Sequence, residues 1–290
     1  MILDQPRSLP LVYSDPVETG TPVLFVHGIA HNRFVWEKLT RSLPVGLRPI
    51  SVDLRGHGES PWSMEANYDL RDYAADLPAL LDALKIDRAY VVAHSLGGNV
   101  ATLFASAHPE RVMALVLVDT GPALDLTGTS HIADEIGSAL RSYASIAEFR
   151  EQLDQLHPSG DSEVLDRLAR SSVVARPDGR FEPALDPGVL GGSDESTDLV
   201  SLERELWTAL GAVCCPVLVI RGEKSAILSE KVAAEMVDEV LAEGRLVTLS
   251  AAGHAIMIDD GPGLVAAIRD FIPITPSRVK RPTRSGRNPV

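Results

Sequence analysis

A short stretch in the first half of the chain combines an apolar run, a turn that contains serine, and a helical pattern rich in small residues. Residues 89–92 are apolar, residues 99–107 have helical periodicity, and Ala93-His94-Ser95-Leu96-Gly97-Gly98 lies between them. Gly97 allows a tight turn, because a side chain there would collide with an approaching strand. The pattern predicts a strand that enters a helix through this turn, with the Ser95 hydroxyl exposed at its apex.

This arrangement is typical of a nucleophile elbow, in which a strained turn presents a serine hydroxyl above a sheet. Ala93 takes the place of the first glycine of the G-x-S-x-G pattern and is also small. The N-terminus of the following helix offers free backbone N–H groups and the positive end of a dipole, which favour an oxyanion. The alternative interpretation is that Ser95 is an ordinary helix cap.

Apolar runs alternate with helical patterns along most of the chain. They lie at residues 22–26, 49–52, 114–118, 216–220 and 245–249. Repeated strand–helix units with short connections predict an α/β fold with a mostly parallel, doubly wound sheet, and they place functional groups at the carboxyl ends of its strands.

The alternation stops between residues 123 and 212, where helical stretches occur without a convincing buried strand. We therefore predict a helical cap insertion at residues 123–212, between core segments 1–122 and 213–272. Four apolar side chains of the insertion are candidates for lining a pocket, although they also suit helix packing: Phe149, Leu153, Leu156 and Trp207. Residues 273–290 carry basic residues and no acid, which predicts a disordered tail.

Loops at the predicted strand ends supply the other candidate residues. Gly28 follows the first long strand, so the backbone N–H of Ile29 is a candidate oxyanion donor beside that of Leu96. His254 follows the last strand within a glycine-containing loop and is the predicted general base among the eight histidines. We give His94 a supporting role, because neighbouring residues of a tight turn point in different directions. Further candidates for ligand contact are His27, Gly28, His31 and His57.

The composition argues against several classes of partner. A net charge of −13 and a pI near 5.0 repel phosphate backbones and anionic membranes, so we expect neither nucleic acid nor membrane as a partner. The sequence has no long apolar span and no signal-peptide pattern at its start, which predicts a cytoplasmic protein. Cys214 and Cys215 match no zinc spacing, and no G-x-G-x-x-G motif occurs, so we expect neither a metal nor another cofactor.

Taken in order, these motifs resemble the α/β-hydrolase fold superfamily over about residues 10–272. The resemblance depends on His27-Gly28, the loop at residues 53–60, the Ser95 turn and Gly253-His254. It implies that Ser95 is a nucleophile, that His254 is its general base, and that the N–H groups of Ile29 and Leu96 form an oxyanion hole.

The chain departs from this family at the acid of the triad. Most members carry that acid three residues after the glycine that follows the penultimate strand, where this chain has Ser225. Other members place it after the strand that follows the elbow helix, which here implies Asp119. Glu223 is the alternative acid, and a site without a carboxylate is the other alternative.

The resemblance implies a serine hydrolase that acts on a small-molecule acyl substrate. We expect cleavage of a carboxylic ester, lactone or thioester of a small apolar acid through an acyl-enzyme. Carbon–carbon bond hydrolysis or a related lyase reaction by the same serine and histidine is one alternative. A ligand-binding protein without turnover is another, and the position of Ser225 motivates it. Halide release and epoxide opening are disfavoured, because the relatives with those activities carry aspartate in place of Ser95.

Overall fold

The computed structural model describes residues 10–123, 137, 141–191 and 199–273. At its centre lies a seven-stranded sheet of order β1-β3-β2-β4-β5-β8-β9, in which β1 is antiparallel to β3 and every other pair is parallel. The strands are β1 Tyr13–Ser14, β2 Thr21–Val26, β3 Leu47–Val52, β4 Ala89–His94, β5 Val112–Val118, β8 Val217–Gly222 and β9 Gly244–Leu249. The prediction of an α/β fold with a mostly parallel sheet is confirmed.

Helices surround this sheet. A 3-10 turn at Arg33–Trp36 leads into the first helix, and a π turn at Met236–Val240 continues α8. The helices are α1 Glu37–Arg41, α2 Leu70–Ala83, α3 Leu96–Ala107, α4 Ile146–Leu156, α5 Ser162–Ser171, α6 Gly188–Gly191, α7 Leu199–Gly211, α8 Glu230–Glu235, α9 Ile256–Asp259 and α10 Gly261–Phe271. None of the helices in the described ranges is long and apolar enough to cross a membrane.

The two faces of the sheet explain the continuous apolar runs of the central strands. Because successive side chains of a strand point to opposite faces, Leu24 and Val26 belong to one buried cluster while Val23 and Phe25 belong to the other. Residues of α2, α3 and α7 complete the first cluster, and residues of α1, α4, α5 and α10 complete the second. A strand covered on both faces is a nearly continuous apolar run, and residues 23–26 and 89–93 show this pattern.

The described part of the predicted insertion contains a hairpin that the sequence did not predict. Strands β6 Val173–Ala175 and β7 Phe181–Pro183 form a separate two-stranded antiparallel sheet. Each strand has only three residues, too few for an alternating pattern to stand out. Most of residues 124–140 of the predicted insertion and nearly all of the predicted tail lie outside the described residues.

Helix α7 packs against α3 on the face of the sheet, although its sequence suggested a place in the cap. Its Leu210 belongs to the buried cluster of that face. An amphipathic pattern shows which side of a helix is buried but not what covers it, which explains the difference. We therefore propose that the insertion ends before α7, at about residue 198.

Candidate active site

Ser95 occupies the sharp turn between β4 and α3. Its backbone has φ 51° and ψ −122°, in the region that non-glycine residues rarely adopt. A Cβ on Gly97 would lie 2.4 Å from the carbonyl oxygen of His27, and a Cβ on Gly98 would lie 2.0 Å from Cγ2 of Thr120. Both positions therefore need glycine, because α3 starts in close contact with the ends of β2 and β5.

A chain of hydrogen bonds links Ser95 to a histidine and a buried carboxylate. Nε2 of His254 lies 3.0 Å from Oγ of Ser95, and Nδ1 of His254 lies 2.7 Å from Oδ2 of Asp119. Asp119 is fully buried. When the neutral imidazole carries its proton on Nδ1, that N–H donates a hydrogen bond to the carboxylate. Nε2 is then unprotonated and can accept the proton of the serine hydroxyl. Such an arrangement can activate a hydroxyl as a nucleophile and stabilise the imidazolium that forms.

Asp119 follows β5 and is held in place from β8. Its φ of 47° lies in the left-handed region, and its N–H donates to the carbonyl of Ile220 at 2.7 Å. Oδ1 accepts the N–H of Gly222 at 3.0 Å, and Oδ2 accepts the hydroxyl of Ser225. Asp119 is thus the carboxylate in contact with His254. Glu223 has an exposed side chain, and its backbone N–H donates to the carbonyl of Leu249.

The turn after β2 lies directly beside the serine. A Cβ on Gly28 would be 3.0 Å from Cβ of Ser95 and 2.6 Å from Nδ1 of His94. Ile29 follows in this turn, and Leu96 is the first residue of α3, where N–H groups have no acceptor within the helix. Both N–H groups therefore belong to segments that touch Ser95.

His27 binds the backbone through both ring nitrogens, which argues against the expected ligand contact, whereas His57 binds it through one nitrogen and its ligand contact stays a prediction. Nδ1 of His27 donates to the carbonyl of Gly28 at 2.7 Å, and Nε2 accepts the N–H of Leu54 at 3.0 Å, so neither nitrogen is left for a substrate. Nδ1 of His57 donates to the carbonyl of Arg55 at 2.9 Å, while its buried Nε2 has no hydrogen-bond partner among the described residues. Both rings are fully buried. Burial lowers the pKa of His27 to about 4 and that of His57 to about 3, so both are neutral near pH 7.

His94 contacts His254 directly. The two ring centroids are 4.6 Å apart, and Nε2 of His94 donates to the backbone carbonyl of His254 at 3.0 Å. The ring of His31 lies 5.9 Å from that of His94. Burial lowers the pKa values of His31 and His94 well below the usual range, which keeps both neutral. His94 therefore supports the loop that carries His254.

A cavity of about 200 Å³ opens beside His254. Its lining includes Leu156 and His157 from the insertion and Lys224 and Ile227 from the loop after β8. Trp207 is not in this lining and packs with the buried cluster next to α3, so the helix-packing interpretation describes it better. Within the described ranges, no group of three or more histidine, cysteine, aspartate or glutamate side chains could hold a metal ion.

The buried neutral histidines predict that acid destabilises the fold. Above about pH 7 the rings of His27 and His57 are neutral in both the folded and the unfolded protein. Below about pH 6.5, the usual pKa of histidine, these residues bind protons in the unfolded chain but not in the folded one. Between about pH 7.5 and pH 5, each ring should lower the free energy of unfolding by about 2 kcal/mol. Urea unfolding at the two pH values measures this loss. An equal free energy of unfolding at the two pH values would contradict the neutral state of the buried histidines. His57→Phe should make the decrease between the two pH values smaller.

Comparison with known proteins agrees with this geometry. Residues 21–261 match the family model of the alpha/beta hydrolase fold. The chain is 28% identical to 2-(acetamidomethylene)succinate hydrolase of Mesorhizobium japonicum over 73% of each chain. It is 38% identical to lipase LipV of Mycobacterium tuberculosis over 55% of this chain and 60% of the lipase.

A solved structure shows the same fold. The crystal structure of E-2-(acetamidomethylene)succinate hydrolase superposes with a TM-score of 0.78 and 24% identity. The superposition covers 90% of this chain and 99% of the other. With the family model matching most of its length, the chain belongs to the alpha/beta hydrolase fold family and is a hydrolase.

Proposed function

We propose that the protein is a serine hydrolase that cleaves a carboxylic ester, lactone or thioester of a small apolar acid. The observation that carries this proposal is the continuous hydrogen-bond chain from Asp119 through His254 to Ser95. The strained backbone of Ser95 adds support, because such strain is stored where a nucleophile must be exposed. The relative named as a lipase supports cleavage of an ester.

The reaction proceeds in two halves. Oγ of Ser95 attacks the substrate carbonyl while Nε2 of His254 takes its proton, and Asp119 stabilises the imidazolium. The N–H groups of Ile29 and Leu96 bind the oxyanion of the tetrahedral intermediate. Collapse breaks the bond to the leaving group, which receives the proton from His254 and departs as an alcohol or thiol. Water then attacks the acyl-enzyme by the same route and releases the acid and free Ser95.

The cavity beside His254 adjoins the base, and Ser95 is not among the residues that line it. Leu156 and Ile227 give it apolar walls, Lys224 and Asp259 also line it, and its volume of about 200 Å³ leaves room for a small part of a substrate next to the base. His157 also lines it, and burial lowers the pKa of this ring, which keeps it neutral. We therefore propose that short acyl chains are preferred.

Release of p-nitrophenol from acetyl, butyryl and octanoyl esters tests the proposal. We expect turnover by the wild-type protein, with kcat/KM higher for the acetyl and butyryl esters than for the octanoyl ester. Circular dichroism of the same sample confirms that the protein is folded. A folded protein that hydrolyses none of the three esters contradicts the proposal and favours carbon–carbon bond cleavage or ligand binding.

A further inference from the structure

Ser225 lies in the turn after β8, within hydrogen-bond distance of the carboxylate that holds His254. Its Oγ is 2.5 Å from Oδ2 of Asp119, and the same oxygen accepts Nδ1 of His254 at 2.7 Å. The Ser225 hydroxyl and the imidazole therefore meet on a single carboxylate oxygen. Nothing in the reaction steps above uses this hydroxyl.

The local backbone sets the direction of the Ser225 hydrogen bond. The N–H of Ile227 donates to Oγ at 3.0 Å, so this oxygen already acts as an acceptor in its own turn. A hydroxyl has one proton, and a carboxylate offers only acceptor sites. The proton of Ser225 therefore points at Oδ2 of Asp119, and the turn that begins at Gly222 keeps it there, since the Ser225 N–H donates to the Gly222 carbonyl at 3.0 Å.

Two donors, one at the last residue of β8 and one in the turn that follows it, thus bind the two carboxylate oxygens. The Gly222 N–H binds Oδ1 and the Ser225 hydroxyl binds Oδ2. Because these two donors bind different oxygens, the carboxylate plane cannot rotate without breaking one of their hydrogen bonds. If the hydroxyl is removed, the Gly222 N–H and His254 itself are the remaining contacts of the carboxylate among the described residues. Hydrogen bonds to a charged acceptor are the stronger kind, so this loss should matter.

We propose that Ser225 is a positioning residue, whose hydroxyl orients the Asp119 carboxylate so that it aligns His254 with Ser95. This inference rests on the proposed function, because it assigns a part in the same catalytic chain. Ser225 does not line the cavity beside His254, although Lys224, Ala226 and Ile227 do. Its effect should therefore appear in kcat and not in KM.

Ser225→Ala removes the hydroxyl and leaves the backbone unchanged. We expect kcat for p-nitrophenyl butyrate to fall by about 10- to 100-fold, as for loss of one hydrogen bond to a charged group. KM should stay within about 2-fold of the wild-type value. Ser225→Thr keeps a hydroxyl at the same position and should restore most of the lost kcat.

Ser229→Ala is the matched control. Ser229 is also a serine of the segment after β8, and its hydroxyl accepts the N–H of Val232 at the start of α8. Its loss removes a helix cap and should lower the unfolding temperature while kcat stays unchanged. Thermal unfolding of both variants separates a loss of stability from a loss of alignment.

A readout that does not depend on turnover completes the test. The Nδ1 proton of His254 should give a downfield proton NMR resonance, identified by its absence from His254→Ala. Ser225→Ala should shift this resonance and Ser229→Ala should not. If no ester is hydrolysed, the proposed function fails, yet the resonance still decides the role of Ser225. An unshifted resonance, or a kcat within about 2-fold of wild type for Ser225→Ala, overturns the inference.

Discussion

Replacing Ser95 with alanine is expected to lower kcat for ester hydrolysis by about 10⁶-fold, as for loss of the nucleophile in a serine hydrolase. In the described part of the chain, Nε2 of His254 lies 3.0 Å from Oγ of Ser95, which makes this hydroxyl the one that the base can activate. The variant should fold normally, because it keeps the Cβ that the turn accommodates. Release of p-nitrophenol, followed for wild type and variant at equal concentration, measures the loss.

Ser106→Ala serves as the control for this substitution. Ser106 lies on the same helix, α3, and its hydroxyl bonds only to the carbonyl of Leu103 in the contacts described. Its loss should leave kcat at the wild-type value. A Ser95→Ala protein that retains a tenth of wild-type activity would show that the nucleophile is elsewhere.

Replacing Asp119 with asparagine is expected to lower kcat by about 10⁴-fold. An amide at this position cannot stabilise the imidazolium, and its NH₂ group favours the tautomer of His254 that carries its proton on Nε2. Asparagine tolerates the left-handed backbone at this position, where φ is 47°, so the fold should persist. Steady-state kinetics on p-nitrophenyl butyrate measure the effect.

Glu223→Gln separates the two candidate acids. The Glu223 side chain is exposed, whereas Oδ2 of Asp119 forms a hydrogen bond with Nδ1 of His254. We expect the variant to keep wild-type kcat. A large loss in Glu223→Gln together with a small loss in Asp119→Asn would reverse the assignment of the acid.

The Ser95 turn could be predicted because its signal is local. A strand, a tight turn and a helix in immediate succession place the serine and its neighbouring glycines without any knowledge of distant contacts. Asp119 was predicted through the resemblance, once Ser225 was found where an acid usually stands. The structure brings Asp119 within 2.7 Å of His254, although 135 positions separate the two residues.

Other features depend on contacts that a single sequence does not display. The Ser225 hydroxyl meets Asp119 across 106 positions, so its contact with that carboxylate has no local sequence signal. His27 occupies a position typical of ligand contact, but its two nitrogens are used by the backbone at Gly28 and Leu54. The hairpin of β6 and β7 had one overlooked signal, since Pro177-Asp178-Gly179 is a turn sequence and Gly179 has φ 82°.

Labelling with a fluorophosphonate tests whether Ser95 is an activated nucleophile. The reagent reacts with a serine only when a base activates the hydroxyl, and the adduct can be located by mass spectrometry of peptides. We expect a single adduct on Ser95 in the wild-type protein, with loss of ester hydrolysis in proportion to labelling and no adduct in His254→Ala. A folded wild-type protein that stays unlabelled, or that carries the adduct on another residue, would show that Ser95 is not the nucleophile.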